Sequence, residues 1–445
     1  MIKSLFNTGW MFSEFELNTP FDKMINSPSL KTTNIPHDYM IWHVNDLYKS
    51  EIGFYQKTFE LAKNKNHTYI LRFEGVYMDS EIYLNGAKIF EWKYGYSTFD
   101  VDLTSYINDG SNTVCVVTTY RNLNSRWYSG AGIYRNVWLF DFDETYIPLD
   151  GVYLSALGMG DNFELSIETE AVSLADGEYT VENTLIDALG VECNTVTSQI
   201  ILGPKVSVCS QSMTVSSPRL WDIDDPYLYT VRTRLIYGNS VKEEVTNTFG
   251  FRTIRFDCDT GFFLNERSIK IQGACQHHDL GALGAAMNKS ALRRQFEKLL
   301  SMGVNSIRTS HNMPAVEVME LADEMGILIY SESFDMWELP KTEFDYGNYF
   351  PTWWEKDVTS WVRRDRNHPS LIIWGIGNEI YDTHLESGLK WTRLLRDKVR
   401  ELDHMHNAFI GIGSNYIAWE NAQKCSDELE LSGYNYVKMS IFHHI

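Results

Sequence analysis

The pair Asn378-Glu379 is where reactive chemistry concentrates in this sequence. It ends the run His368-Pro369-Ser370-Leu371-Ile372-Ile373-Trp374-Gly375-Ile376-Gly377 and puts an amide beside a carboxyl group. A carboxylic acid so placed can protonate a glycosidic oxygen. The amide can hydrogen-bond a ring hydroxyl as charge builds at the neighbouring carbon. An isolated Asn-Glu pair would be explained as well by capping of the next helix. Five other segments end in polar, titratable groups in the same way: Gln276-His277-His278-Asp279, Arg308-Thr309-Ser310-His311, Glu332-Ser333-Phe334-Asp335, Ser414-Asn415 and Asn435-Tyr436. Turn chemistry accounts for any one of them, but six in phase with the pattern point to one polar pocket.

Strands must position these groups. From about residue 258, apolar runs alternate with amphipathic stretches. Runs 269–273, 306–310, 327–331, 371–375, 409–413 and 431–436 read as strands, and 290–302 and 315–325 as helices. Pro369 makes a turn into the fourth run, because proline fixes φ and biases its neighbour away from helix. Such alternation implies a parallel sheet, most simply a TIM β/α barrel, whose function sits at the C-terminal strand ends. A barrel needs eight strands and the pattern supplies six, so the barrel reads as incomplete. Upstream, short alternating strands such as Tyr69-Ile70-Leu71-Arg72-Phe73 are separated by turn signals such as Asn85-Gly86, as in a jelly roll. A second block of short strands fits an immunoglobulin-like β-sandwich. The predicted domains are a jelly roll at 1–145, an immunoglobulin-like sandwich at 146–256 and a partial barrel at 257–445.

The bulk composition bounds the partners. At 445 residues, with 44% hydrophobic and 22% charged, the chain reads as about three soluble globular domains. Aromatics at 14% fill sandwich cores, and their faces also stack on sugar rings. A net charge of −20 argues against nucleic acid or an anionic membrane as partner, but not against an acidic sugar in a local pocket. The six cysteines include no CxxC pair, which suits a reduced, cytoplasmic protein. The first residues show no apolar signal region, and no stretch reads as a membrane span.

The run 367–379 resembles the acid/base motif of family 2 glycoside hydrolases, which include β-galactosidases, β-glucuronidases and β-mannosidases. The likeness extends along the chain. Phe73-Glu74-Gly75-Val76, Leu84-Asn85-Gly86 and Arg126-Trp127-Tyr128-Ser129-Gly130-Ala131-Gly132-Ile133-Tyr134-Arg135 are similar to the family's N-terminal sugar-binding domain. Leu220-Trp221, Pro226-Tyr227-Leu228-Tyr229 and Gly250-Phe251-Arg252 resemble the end of its immunoglobulin-like domain. The resemblance implies Glu379 as general acid/base and Asn378 as ligand of the sugar 2-hydroxyl. His277 and His311 would contact substrate or the developing charge, or else be hydrogen-bonded structural histidines. Arg308 would support a neighbouring carboxylate. Glu332 would contact sugar or, in some relatives, a metal, or else support the site from behind. Asn435 and Tyr436 would form the sixth-strand pair whose tyrosine orients the nucleophile, and Asp38 reads as a turn residue. No cofactor and no metal is expected. The partner is a carbohydrate substrate, with homo-oligomers open to the full-length form.

A retaining mechanism also needs a second carboxylate, which the family places on a seventh strand. The late glutamates Glu420, Glu428 and Glu430 precede or open the sixth strand and are poor candidates. The run after Tyr436, 437–445, supplies no other. The nucleophile is therefore expected to be missing, as in a natural truncation, a partial gene product or a fragment of a longer chain. Such a chain is expected to be inactive and poorly stable in its C-terminal part. The leading activity is a retaining exo-β-glycosidase of β-galactosidase type, with β-glucuronidase as alternative. A carbohydrate-binding remnant without turnover is the reading from another class. The spelling Cys275-Gln276-His277-His278-Asp279 looks like a bacterial subgroup holding both activities.

Overall fold

The computed structural model describes residues 1–436. The segment 437–445, with which the third predicted domain closes, lies outside the described residues. The N-terminal unit is a sandwich of two antiparallel sheets. One has the order Lys31–Thr33, Trp10–Phe15, Glu51–Leu61, Gly110–Tyr120, Ser80–Leu84 and Ala87–Trp92; the other has Ile2–Leu5, Val137–Phe142, Thr68–Phe73 and Phe99–Asp102. Thr68–Phe73 alternates between buried and half-buried residues, as a strand with one face on a core must. Asn85 and Gly86 join the last two strands of the larger sheet, both at positive φ (52° and 85°), as a two-residue hairpin turn requires.

The second unit pairs Val152–Met159, Asn162–Ser173 and Ser207–Ser216 in one sheet. The other sheet holds Glu192–Leu202, Gly177–Ile186, Tyr229–Tyr237 and Ser240–Phe249. Its apolar interior, around Leu165, Val181 and Val231, is a cluster of its own. The jelly roll and the barrel instead share one continuous apolar cluster, running from Trp10 and Phe73 to Trp337 and Trp374. Between them Arg135 is fully buried. It donates to the carbonyls of Tyr96 (2.9 Å), Met313 (2.9 Å) and Pro314 (3.2 Å).

The third unit is a curled sheet of six parallel strands in chain order: Gly273–Gln276, Ser306–Thr309, Leu328–Glu332, Leu371–Asn378, Phe409–Ser414 and Leu431–Tyr434. Helices Lys289–Ser301, Val316–Met325, Phe350–Asp365, Glu386–Leu402 and Glu420–Asp427 connect them. The fourth strand is buried along its whole length, which explains its unbroken apolar spelling. The first strand corrects the sequence reading of 269–273. Arg267–Ile269 instead pairs with Gly261–Leu264, which pairs with Ile254–Asp257 in a small antiparallel sheet. Alternation at Ile269 and Ile271 mimicked a barrel strand, while Gly273–Gln276 has no apolar run to announce it.

Candidate active site

Glu379 follows the end of the fourth strand with φ at +49°, in the left-handed region that a branched or long side chain rarely adopts. Its amide donates to the Gly413 carbonyl at 2.7 Å, which fastens this backbone to the fifth strand. The side chain is 9% exposed. Its Oε1 accepts from Asn435 Nδ2 at 3.0 Å, and its Oε2 lies 3.8 Å from Arg126 Nη1.

Asn378 is fully buried, and its amide orientation follows from its neighbours. Oδ1 accepts from Arg308 Nη2 (2.8 Å) and Asn435 Nδ2 (3.0 Å), while Nδ2 donates to Asp335 Oδ1 (2.9 Å). Cations and donors face the oxygen, and a carboxylate faces the nitrogen. One N–H of the amide remains for another acceptor. Arg308 also donates through Nε to Glu332 Oε1 at 2.7 Å. The other oxygen of Glu332 lies 2.6 Å from His311 Nδ1. Glu332 is fully buried with both oxygens engaged, so it presents no free ligand atom to a metal. Burial works against the Arg308 charge, yet Glu332 outweighs it and raises the guanidinium above its ordinary range.

His277 sits 5.8 Å from His311 between ring centroids, and both rings pack on Trp127, at 4.9 and 5.8 Å. Burial, and then the neighbouring His311, push the His277 imidazole below its usual value. Among the described residues His277 Nδ1 is buried without a protein partner, so the ring can accept or donate toward a ligand. Asn435 joins Asn378 and Glu379, whereas Tyr436 is 87% exposed and hydrogen-bonds none of the described site residues. Asp38 is more than a turn residue. It accepts from the amides of Met40, Ala131 and Ala285 and from the Tyr128 hydroxyl, and so staples the jelly roll to the barrel loop at 285. Glu428 and Glu430 are tied to Arg393, Arg396 and Arg400, away from the strand ends.

Four residues escaped the sequence reading as site residues. Arg126 reaches from the jelly roll and grips both oxygens of Asp335 with one guanidinium edge, through Nε at 2.8 Å and Nη2 at 2.6 Å. Lys341 donates to Asp335 (3.0 Å) and to the Asn378 carbonyl (2.8 Å). Burial opposes the Asp335 charge, but Arg126 and Lys341 prevail and hold its carboxyl below the ordinary range. Trp127 walls the site beside the two histidines. A small cavity, with room for about one water molecule, opens there, lined by Tyr94, Tyr96, Trp127, His311 and Asp335 among others. Both Arg126 and Trp127 stand in a quoted motif. Only the fold shows that they leave the jelly roll for the barrel mouth.

Three models of one family match in order: its sugar binding domain over residues 7–142, the central "Glycosyl hydrolases family 2" model over 155–252, and its TIM barrel domain over 258–424. The chain belongs to glycoside hydrolase family 2. Among its relatives, the β-galactosidase BoGH2A of Bacteroides ovatus is 38% identical over 400 residues, covering 85% of this chain and 47% of that protein. A β-glucuronidase of Bacteroides fragilis is 27% identical over 410 residues, covering 84% and 56%. A solved family 2 structure from Bacteroides cellulosilyticus superposes with a TM-score of 0.92 at 29% identity, covering 98% of this chain and 59% of that one. A β-glycosidase from Bacteroides vulgatus gives 0.85 at 31%, covering 96% and 58%. The chain spans about half the length of the relatives it matches. None of its described helices is long and apolar enough to cross a membrane.

Proposed function

We propose that this family 2 chain forms the front of a retaining exo-β-glycosidase of β-galactosidase type, with Glu379 as general acid/base. The observation that carries the reading is the network around Asn378 and Glu379. The free N–H of Asn378 is aimed by Asp335 and Arg308, so it can bind a sugar hydroxyl without first reorganising. Glu379 delivers its proton to the glycosidic oxygen. Arg126 and Asn435 then stand ready to stabilise the carboxylate left behind. His277, His311 and Trp127 form the opposite wall, where an aromatic face and two ring nitrogens suit a sugar ring.

The nearby carboxylates Glu332 and Asp335 are committed to ion pairs and are unsuited to attack an anomeric carbon. A nucleophile about 5–5.5 Å from Glu379 must therefore come from outside the described residues, in keeping with a chain that covers about half of its relatives. We expect the 445-residue chain alone to bind sugar without turnover, and a longer form with a further strand-end carboxylate to hydrolyse. β-Glucuronidase is the alternative specificity, since relatives of both names match. The test sets the chain and a longer form beside their Glu379→Gln variants on chromogenic β-galactoside and β-glucuronide. Glu379-dependent turnover by the 445-residue chain would overturn the expectation of inactivity. A longer form indifferent to Glu379→Gln would overturn the assignment of the acid/base.

A further inference from the structure

The jelly roll carries a second polar constellation that the glycosidase reading does not use. Glu14 lies on the strand Trp10–Phe15 and Glu51 opens the strand Glu51–Leu61, its antiparallel neighbour. Glu14 pairs with Gly53, so Glu51 is its diagonal neighbour on the same face, within reach of a long side chain. His43 follows the short helical turn Met40–Trp42 and points its Nε2 between them, 3.0 Å from Glu51 Oε1 and 3.2 Å from Glu14 Oε2.

These contacts are at ion-pair distance, but neither has the geometry of a regular hydrogen bond. His43 Nε2 and Glu51 Oε1 are both buried and both without a partner of acceptable geometry. Glu51 is only 2% exposed, so water offers this oxygen no substitute. A protonated histidine has one proton on Nε2 and would turn it toward one carboxylate. Here the nitrogen faces the gap between two. A tetrahedral cation with ligand bonds of about 2.0–2.1 Å holds its ligand atoms about 3.3 Å apart, close to the separations seen. Lys49 takes only the outer oxygen of Glu51, at 2.5 Å, and leaves the inner one free.

We propose that Glu14, His43 and Glu51 are three protein ligands of a divalent transition-metal site of zinc type in the jelly roll, with a fourth position open to water. One imidazole and two carboxylates suit zinc, cobalt or manganese better than calcium, which prefers six to eight oxygens. The site ties the 43–51 loop to two strands. That loop continues from Asp38, the staple between jelly roll and barrel, so the cation strengthens the seam from a distance. The inference stands apart from the glycosidase reading, and either can fail alone.

The test uses the full chain, stripped with a chelator and titrated with Co²⁺ by visible absorption and with Zn²⁺ by calorimetry. One equivalent per chain is expected, with the d–d bands of nitrogen and oxygen ligands and a higher melting temperature. Glu14→Gln should weaken binding at least about tenfold, and His43→Ala should abolish it. Both replace half-buried groups, and far-UV circular dichroism checks that the variants fold. Failure to bind one equivalent overturns the site, as does binding that survives both substitutions. Thiolate charge-transfer absorption would place the ion on the exposed cysteines Cys193, Cys258 or Cys275 and equally overturn it.

Discussion

Asp335→Asn tests how the site holds itself together. Asp335 is 1% exposed and its buried partner, the Lys341 ammonium, 2%. At their separation of 3.0 Å, an effective dielectric of 20 gives an attraction of about 5 kcal/mol. Arg126 is 38% exposed, so its pair with Asp335 is screened and adds about 1 kcal/mol. An asparagine keeps one acceptor oxygen and recovers about 2 kcal/mol as a hydrogen bond to a charged donor. The net cost is about 4 kcal/mol, within the range of about 3–5 kcal/mol for removing one partner of a buried pair. The assay is urea denaturation followed by tryptophan fluorescence, reading the barrel transition, on the wild type, Asp335→Asn, Lys341→Met and the double variant. If the cost is an unpaired buried ammonium, the double variant recovers about half of the loss, because no stranded charge remains. A cost below about 1 kcal/mol for Asp335→Asn would refute the reasoning. So would a double variant whose losses simply add.

Four further outcomes are expected. Tyr153→Phe removes the 2.6 Å hydrogen bond to buried Asp403 that joins the second unit to the barrel, and should cost about 1–3 kcal/mol in the same urea assay. Asp38→Ala strips the acceptor shared by three amides and the Tyr128 hydroxyl. Calorimetry should then show jelly roll and barrel melting as separate transitions. Gly413→Ala would set a methyl 2.5 Å from Arg308 Nη2 and dislodge it from Asn378. Stability should change by about 1 kcal/mol, while kcat/KM of an active longer form falls at least about tenfold. His278 packs against Tyr96 and Tyr134, and burial pushes its imidazole down to about 4. A depressed histidine contributes its stability above about pH 6.5 and loses it as pH falls through 4, at most about 3 kcal/mol. The melting temperature should drop over that window, and His278→Gln should flatten the drop.

What the residues revealed in advance follows from where their signals lie. The polar groups of the second to fifth parallel strands sit where period and apolar runs put them, because a buried strand must spell itself in apolar residues. Asn378 and Glu379 carried the strongest signal, at the end of eight fully buried positions. The first strand misled, since Gly273–Gln276 is only four residues long and has no apolar run to mark it. Asp335 stood in a quoted strand-end cluster, yet nothing local shows that it faces two cations. Arg126 binds it across 209 positions of chain. Lys341 lies in a loop with no periodicity. Glu14, His43 and Glu51 have no ligand spacing that a motif would show, because a sheet register and a loop return bring them together.

Arg126 and Trp127 place part of the candidate site's wall on a different module from its floor. Modules of this architecture invite recombination, since the second sandwich has a core of its own. At this seam the parts cannot be traded freely. A hybrid that took the barrel from one relative and the first module from another would inherit Glu379 with a foreign hand on Asp335. Its fitness would turn on whether the loop holding Arg126 and Trp127 travelled with the barrel. The unit of inheritance here is thus the barrel together with that loop, and libraries built to change sugar preference would do best to cut the chain elsewhere.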